Sequence, residues 1–170
     1  MPLPDHIVIR RTGRDDWAAF RDLRLRMLAD TPLAFLETLA HARQLDEDEW
    51  RRRAGSGADD DTPCFVAEDV TTGAWAGIMG GRLDGGHPLL VSVFVDPHHR
   101  GRESGVTDAL LDAVEDWARG HGDRFLLDVH EENPRAIAFY RRRGFVPTGR
   151  RVPYPLPPHG EELELVKSLR

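Results

Sequence analysis

Residues 93–106 read VFVDPHHRGRESGV, and residues 133–145 read NPRAIAFYRRRGF. In the first stretch, three apolar residues lead into a basic loop with two glycines, and a helical pattern follows. This order predicts a strand, a loop and a helix. The second stretch predicts a helix that begins at an Asn-Pro pair and carries a tyrosine about two turns later. Together the two stretches indicate a site for a phosphate-bearing cofactor with a phenol beside its reactive end.

The first stretch has the chemistry of a phosphate-binding loop. Backbone N–H groups at a helix start have no partner within the helix and carry partial positive charge, so they bind phosphate oxygens. Gly101 and Gly105 permit a close approach of the backbone, and Arg100 and Arg102 add positive charge. No Gly-Lys-Ser/Thr sequence follows, which excludes a Walker loop, and the glycine spacing excludes a dinucleotide fingerprint. A plain strand-to-helix turn with surface arginines is the alternative interpretation.

The second stretch places three polar or small side chains on one helix face. Asn133 suits the N-cap, and Pro134 suits the first helical position. Tyr140 follows Asn133 at a spacing close to two turns of about 3.6 residues each, and Ala136 lies between them on the same face. An amide, a small residue and a phenol on one face suit contact with a ligand. The alternative interpretation, with each residue considered alone, is that Asn133 only caps the helix and that Tyr140 only packs in the core.

The remaining sequence predicts a mixed sheet with helices on its faces. Apolar–polar alternation and turn chemistry indicate three strands in an antiparallel meander just before the phosphate loop. Residues 33–42 are expected to form a loop or an irregular helix. The predicted strands are 6–11, 64–69, 75–83, 88–95, 125–129, 145–151 and 161–169, and the predicted helices are 17–30, 46–54, 106–117 and 133–143.

Composition narrows the class of protein. A chain of 170 residues is most simply one domain, 1–170, and a net charge of -6 argues against a nucleic-acid partner. Cys64 is the only cysteine, which excludes a disulfide framework or a Cys-based zinc site and fits a reducing cytosol. The start of the chain lacks the pattern of a signal peptide, and no stretch is apolar enough for a membrane span. We therefore expect a cytoplasmic protein without a membrane partner.

The two stretches resemble motifs of the GCN5-related N-acetyltransferase (GNAT) superfamily. Residues 100–105 resemble its pyrophosphate motif, Arg/Gln-x-x-Gly-x-Gly/Ala, with Glu103 in place of the middle glycine. The second stretch resembles the superfamily pattern Asn-x-x-Ala-x-x-Phe-Tyr-x-x-x-Gly-Phe. The order of predicted elements also matches across nearly the whole chain. The residues that match the second pattern are Asn133, Ala136, Phe139, Tyr140, Gly144 and Phe145.

The resemblance implies an α/β (α+β) fold. Its mixed, mostly antiparallel sheet would have about seven strands, splayed between the fourth and fifth, and about four flanking helices. It implies acetyl-CoA as the donor, CoA as the product, an amine as the acceptor and no metal. The backbone of residues 93–95 would bind the pantetheine arm. The implied cofactor-binding residues are Val93, Phe94, Val95, Arg100, Gly101, Arg102, Glu103, Ser104, Gly105, Val106, Asn133, Ala136 and Tyr140.

The resemblance also implies roles in catalysis. Tyr140 would protonate the departing CoA thiolate, because a phenol with an ordinary pKa of about 10 keeps its proton at neutral pH. Backbone donors near Phe94 would polarise the thioester carbonyl. Glu103 places a carboxylate beside the expected pyrophosphate, so we expect weaker cofactor binding than a glycine would give.

The general base and the acceptor are less determined. Superfamily members often use a carboxylate on the strand before the phosphate loop, but no acid occurs in residues 88–95. His130, by its ordinary pKa, and Glu131 are the candidates, with Asp128 and Glu37 as others. Residues 33–42 and 153–160 are expected to wall the acceptor pocket. The expected acceptor contacts are Phe35, Thr38 and Tyr154.

The leading hypothesis is an acetyl-CoA-dependent N-acetyltransferase that moves an acetyl group to a primary amine of a small molecule by direct attack on the thioester. Two alternatives stay open: acetylation of a protein or peptide amine, and a non-catalytic acyl-CoA-binding or sensing module. The superfamily habit leaves a homodimer open as well.

Overall fold

Seven strands and five helices build the chain, and the computed structural model describes residues 2–170. The strands are β1 (Ile7–Arg11), β2 (Cys64–Asp69), β3 (Trp75–Asp84), β4 (His87–Val95), β5 (Arg124–His130), β6 (Val146–Pro153) and β7 (Glu161–Ser168). The helices are α1 (Trp17–Asp30), α2 (Leu39–Ala42), α3 (Glu47–Ser56), α4 (Val106–Arg119) and α5 (Pro134–Arg142).

All seven strands lie in one sheet, in the spatial order β1-β2-β3-β4-β5-β7-β6. Every neighbouring pair is antiparallel except β4 and β5, which run parallel. β4 and β5 share a single residue pair, Leu89 with Leu126, and then diverge. The predicted mixed sheet, with its splay between the fourth and fifth strands, is therefore confirmed.

A bulge in β4 lies three residues beyond that last pair. Gly80 pairs with Val91 and Ile78 with Phe94, so the two residues between Val91 and Phe94 face a single residue of β3. Ser92 adopts a φ of 56°, a left-handed conformation that costs a non-glycine residue about 1–2 kcal/mol. A bulge bends its strand and increases the local twist. The bend in β4 thus coincides with the opening beside β5.

Two hydrophobic cores lie on opposite faces of the sheet. Successive strand residues point to opposite faces, and on β2 Ala67 belongs to one core while Val66 belongs to the other. Helices α4 and α5 cover the first face, with the apolar stripe of α4 fully buried against the strands. Helices α1 to α3 cover the second face. We call the two faces of the sheet the α4–α5 face and the α1–α3 face.

Residues 33–42 are more ordered than the sequence pattern indicates. They contain a single helical turn, at Pro32–Ala34, and the short helix α2. Thr38 caps α2, because its side-chain oxygen accepts a hydrogen bond from the His41 N–H at 3.1 Å. The sequence predicts four helices, with a loop or an irregular helix over residues 33–42, and α2 is the fifth helix. Among residues 2–170, no helix is long and apolar enough to cross a membrane.

Candidate active site

A cavity of about 690 Å³ occupies the opening between β4 and β5. Its volume falls within the range of roughly 300–1,000 Å³ that is usual for small-ligand sites. On the α4–α5 face its wall includes Thr107, Ala136 and Tyr140, and on the α1–α3 face it includes Thr31 and Phe35. The cavity therefore connects the two faces through the splay of the sheet.

The phosphate loop presents unused donors at one end of this cavity. The backbone N–H groups of residues 101–105 donate to no other residue in the described part of the chain. Gly101 and Gly105 have φ values of 100° and 67°, in the region that favours glycine. Gly105 is the N-cap of α4, and Ser104 braces the loop by donating from its hydroxyl to the carbonyl oxygen of His99. Consecutive free N–H groups at a helix start fit phosphate oxygens.

Arg100 fixes the loop to the end of β4. Its Nε donates to the Val95 carbonyl oxygen at 2.7 Å, its guanidinium forms an ion pair with Asp30, and it lies 5.5 Å from the centre of the Phe94 ring. Arg100 therefore positions the loop while also lining the cavity.

Five further arginines line the cavity: Arg24, Arg82, Arg102, Arg135 and Arg142. Of these five, the sequence predicted only Arg102 as a cofactor contact. Arg135 and Arg142 both belong to α5, the helix that contains Tyr140. Their place in this helix was the signal in the sequence that could have indicated a contact with the cofactor. Glu103, by contrast, is exposed and does not line the cavity.

The edge of β4 that faces β5 is open beyond Leu89. Residues 91–95 line the cavity, and none of them pairs with β5. An unpaired strand edge offers backbone N–H and C=O groups to any extended amide-bearing chain laid along it. The three predicted residues Val93, Phe94 and Val95 are all part of this edge.

Tyr140 lies on the cavity wall at the α4–α5 face. Only 5% of the residue is exposed, and its ring packs against Phe139 and Phe145 with centroids 5.4 and 5.7 Å apart. Its hydroxyl has no hydrogen-bond partner among residues 2–170. Burial raises the pKa of Tyr140 well above its ordinary value, so the phenol is protonated at neutral pH.

The start of α5 matches the sequence prediction. Asn133 caps the helix, because its side-chain oxygen accepts a hydrogen bond from the Ala136 N–H at 3.2 Å. Asn133 and Ala136 both line the cavity with Tyr140. The cap and the ligand-facing interpretations of Asn133 are thus compatible.

His130 lines the cavity but uses both ring nitrogens within the protein. Its Nε2 lies 2.6 Å from the His159 carbonyl oxygen, and its Nδ1 lies 3.1 Å from the Glu132 backbone nitrogen. The carbonyl oxygen accepts a hydrogen bond from the ring and the backbone N–H donates one to it, so both ring nitrogens are engaged within the protein. As placed, His130 has no free nitrogen to accept a substrate proton.

Two of the other candidate bases predicted from the sequence, Glu131 and Glu37, lie outside the main cavity. Glu131 accepts the Glu161 N–H at 3.1 Å, pairs with Arg151 at 3.3 Å, and does not line the cavity. Glu37 is held by two arginines, Arg24 and Arg53, each at 2.9 Å, beside a separate smaller pocket.

The three expected acceptor contacts separate in the structure. Phe35 lines the main cavity, whereas Thr38 lines the smaller pocket. Tyr154 is 2% exposed, and its hydroxyl lies 2.5 Å from the Phe35 carbonyl oxygen and 3.3 Å from that of Pro32. Tyr154 therefore ties the segment of residues 32–35 to the loop between β6 and β7. It supports a wall of the cavity without lining the cavity itself.

Two carboxylates do line the cavity: Asp128 on β5 and Glu162 on β7. Burial raises the pKa of each, and repulsion adds to the effect: Glu164 acts on Asp128, and Asp128 acts on Glu162. Asp128 was among the candidate bases predicted from the sequence, but Glu162 was not. No local pattern places residues 161–169 beside β5, because that pairing depends on the tertiary fold.

Comparison with known proteins agrees with this geometry. The model of the acetyltransferase (GNAT) family matches residues 22–145. No curated protein matches the chain in sequence.

Solved structures resemble the chain in fold. A GNAT-family acetyltransferase from Streptococcus pneumoniae has a TM-score of 0.77 at 18% identity, covering 95% of this chain and 99% of its own. A putative acetyltransferase, yncA, from Salmonella typhimurium, solved with acetyl-CoA, has a TM-score of 0.75 at 22% identity, covering 96% and 94%.

A nourseothricin acetyltransferase has a TM-score of 0.58 at 26% identity, covering 66% of this chain and 68% of its own. These solved structures share the fold of this chain. The chain belongs to the acetyltransferase (GNAT) family.

Proposed function

We propose that this protein transfers an acetyl group from acetyl-CoA to a primary amine of a small molecule by direct attack on the thioester. One observation carries the proposal: a single cavity joins the phosphate loop and the buried Tyr140 on one face of the sheet to a space lined by Thr31 and Phe35 on the other.

The donor half of the cavity fits acetyl-CoA. When bound, acetyl-CoA supplies an acetyl thioester. The free N–H groups of residues 101–105, with Arg102, Arg135 and Arg142, would hold its phosphates. The open edge of β4 would bind the amide-bearing arm. Tyr140 would give its proton to the sulfur, because its phenol is protonated and has no competing partner in the described chain.

The acceptor half favours a small molecule. Residues 32–35 form one wall, and the hydrogen bonds of Tyr154 hold that wall against the loop between β6 and β7. A closed wall suits a compact amine better than a peptide, which needs an open groove. The similar structure at 26% identity is named for a compound, nourseothricin. Direct attack on a thioester by an amine needs no metal.

The test is thiol release from acetyl-CoA with the purified protein and a panel of acceptors. The panel contains alkyl monoamines, diamines, amino acids and short peptides with a free N-terminus, and product formation is confirmed by mass spectrometry. We expect amine-dependent release with small amines and little with peptides. Turnover restricted to peptides would redirect the proposal to a protein acceptor. CoA binding without turnover on any amine would indicate a sensing module.

A further inference from the structure

We infer that Glu162 accepts the proton of the acceptor ammonium, and that Asp128 beside it attracts that cation into the cavity. The inference rests on the proposed function and adds the missing base and the charge class of the acceptor. It follows from strand register, side-chain direction and the pairing of charges around the cavity.

Strand register places Glu162 at the level of the open edge of β4. Leu89 and Leu126 are paired, and Val93 and His130 each lie four residues further along their parallel strands. At about 3.3 Å per residue, His130 lies about 13 Å beyond the pair. The bulge adds one residue to β4, so that level falls between Val93 and Phe94. Glu162 is the residue of β7 that pairs with His130, and it thus lies across the opening from the edge of β4 that is proposed to bind the amide-bearing arm.

Side-chain direction places Glu162 on the face opposite to Tyr140. Phe125, Leu127 and Val129 pack into the core of the α4–α5 face, so the alternate residues of β5, including Asp128, point to the other face. His130 points to the same face as Asp128, because one residue separates them on β5. Glu162 lies directly opposite His130, and directly opposite residues in an antiparallel pair share a face, so Glu162 points to that face as well. The proposed acid and base therefore approach the reacting centre from opposite faces.

The carboxylates of Glu162 and Asp128 have no direct partner in the described part of the chain, and Arg150 and Arg82 act on Asp128 only from a distance. Neither carboxylate forms a hydrogen bond or an ion pair with another described residue. Glu164 is on the same strand and face, yet it pairs with Arg150 at 2.9 Å and accepts from the Thr148 hydroxyl at 2.8 Å. Unpaired negative charge on a cavity wall attracts a cation, and an alkylammonium is the cation that the proposed reaction requires.

The surroundings of Glu162 favour proton transfer near neutral pH. The groups that face Glu162 are Asp128 and His130 on β5 and the apolar Val152 on β6, and Arg24 and Arg82 line the same cavity. Burial, followed by the charge of Asp128, raises the pKa of the Glu162 carboxyl and outweighs an opposing contribution from His130. A carboxylate with a raised pKa is a better base at neutral pH.

In the proposed step, the acceptor nitrogen loses two protons in turn. Glu162 takes one proton from the ammonium, and the resulting amine attacks the thioester carbonyl carbon. The C–N bond forms, the C–S bond breaks and its electron pair goes to sulfur. Tyr140 gives its proton to the sulfur and regains one from the nitrogen as the amide forms. The ammonium thus loses two protons: one passes through Glu162 to solvent, and the other appears on CoA.

The experiment compares two acceptors that differ in whether a proton must be removed before attack. One is an alkylamine, which is almost fully protonated at neutral pH. The other is an alkoxyamine of matched size, whose nitrogen is already neutral there. Wild type, Glu162→Gln, Glu162→Asp and Glu164→Gln are assayed for thiol release with each acceptor. CoA binding is measured for all four proteins to show that the donor half is intact.

We expect Glu162→Gln to lose about 100-fold or more of kcat/KM with the alkylamine and less than about fivefold with the alkoxyamine. Glu162→Asp should recover part of the loss, and Glu164→Gln should stay within about threefold of wild type. An equal loss with both acceptors, or no loss with the alkylamine, would overturn the inference and leave the proposed function standing. Wild type inactive on every amine would overturn the proposed function and this inference with it.

Discussion

The chain contains two tyrosines, Tyr140 and Tyr154. Removal of the Tyr140 hydroxyl should lower activity with little effect on stability, whereas removal of the Tyr154 hydroxyl should mainly lower stability. In Tyr140→Phe, the lost group has no hydrogen-bond partner in residues 2–170, and the ring keeps its packing against Phe139 and Phe145. We therefore expect the free energy of unfolding to change by less than about 1 kcal/mol. CoA affinity should be unchanged.

Turnover by Tyr140→Phe should fall much further. General acid catalysis contributes about 10²–10⁴ in rate, which corresponds to about 2.7–5.4 kcal/mol of activation free energy at about 1.36 kcal/mol per tenfold. The assay is steady-state thiol release at saturating acetyl-CoA, with CoA binding measured by calorimetry on the same samples.

Tyr154→Phe is the matched control, because it removes the same atom from the same residue type. Its hydroxyl lies 2.5 Å from the Phe35 carbonyl oxygen in a buried position. Loss of that bond, with a carbonyl left unpaired, should lower the free energy of unfolding by about 1–3 kcal/mol. For a chain of this size, the melting temperature should fall by roughly 2–12 °C. KM for the acceptor should rise more than kcat falls, since only a wall is loosened.

Retention of kcat within about threefold of wild type in Tyr140→Phe, with CoA binding intact, would refute the acid role of Tyr140. Equal losses of stability in the two variants would show that the partners assigned to the two hydroxyls are wrong.

Three further predictions concern charged groups. Asp128→Asn should move the acidic limb of the kcat/KM profile to lower pH, because Asp128 raises the pKa of Glu162; an unmoved limb would contradict this. Burial opposes the charge of Glu37, but its arginine partners outweigh burial and hold its pKa below the ordinary value. Glu37→Gln should therefore lower the free energy of unfolding by about 2–3 kcal/mol at neutral pH. In urea titrations, the stability difference between wild type and Glu37→Gln should shrink below roughly pH 4, because wild-type Glu37 is then protonated. A difference that stays constant with pH would contradict the lowered pKa of Glu37. The control is Glu47→Gln, since Glu47 is exposed. Glu103→Gly should tighten CoA binding by no more than about threefold, because the exposed carboxylate is screened; calorimetry that shows weaker binding would refute the repulsion.

The sequence was most informative where chemistry depends on short-range spacing. The phosphate loop and the tyrosine helix each lie within fourteen consecutive residues or fewer, and local rules of capping and periodicity describe them well. The seven strands and the four predicted helices were found for the same reason. Helix α2 was left open because four residues carry too little periodic signal.

The sequence was least informative about the acceptor half. His130 looked suitable by its ordinary pKa, but only the fold brings the His159 carbonyl and the Glu132 N–H to its two ring nitrogens. Tyr154 looked like a substrate contact, whereas its hydroxyl is directed to a backbone carbonyl about 120 residues away in sequence. Such partners depend on long-range packing, which no local pattern records.

By itself, the sequence determined the donor half: a free helix start after a strand, two glycines, an arginine-rich loop and a phenol two turns into the next helix. Tertiary structure alone decided which carboxylates face the cavity. The divergence of β4 from β5 after one residue pair opens the sheet, and the pairing of β5 with β7 carries Glu162 to that opening. The physical reason is that helix capping acts within a few residues, whereas strand register joins segments that are distant in the chain and sets which side chains share a face.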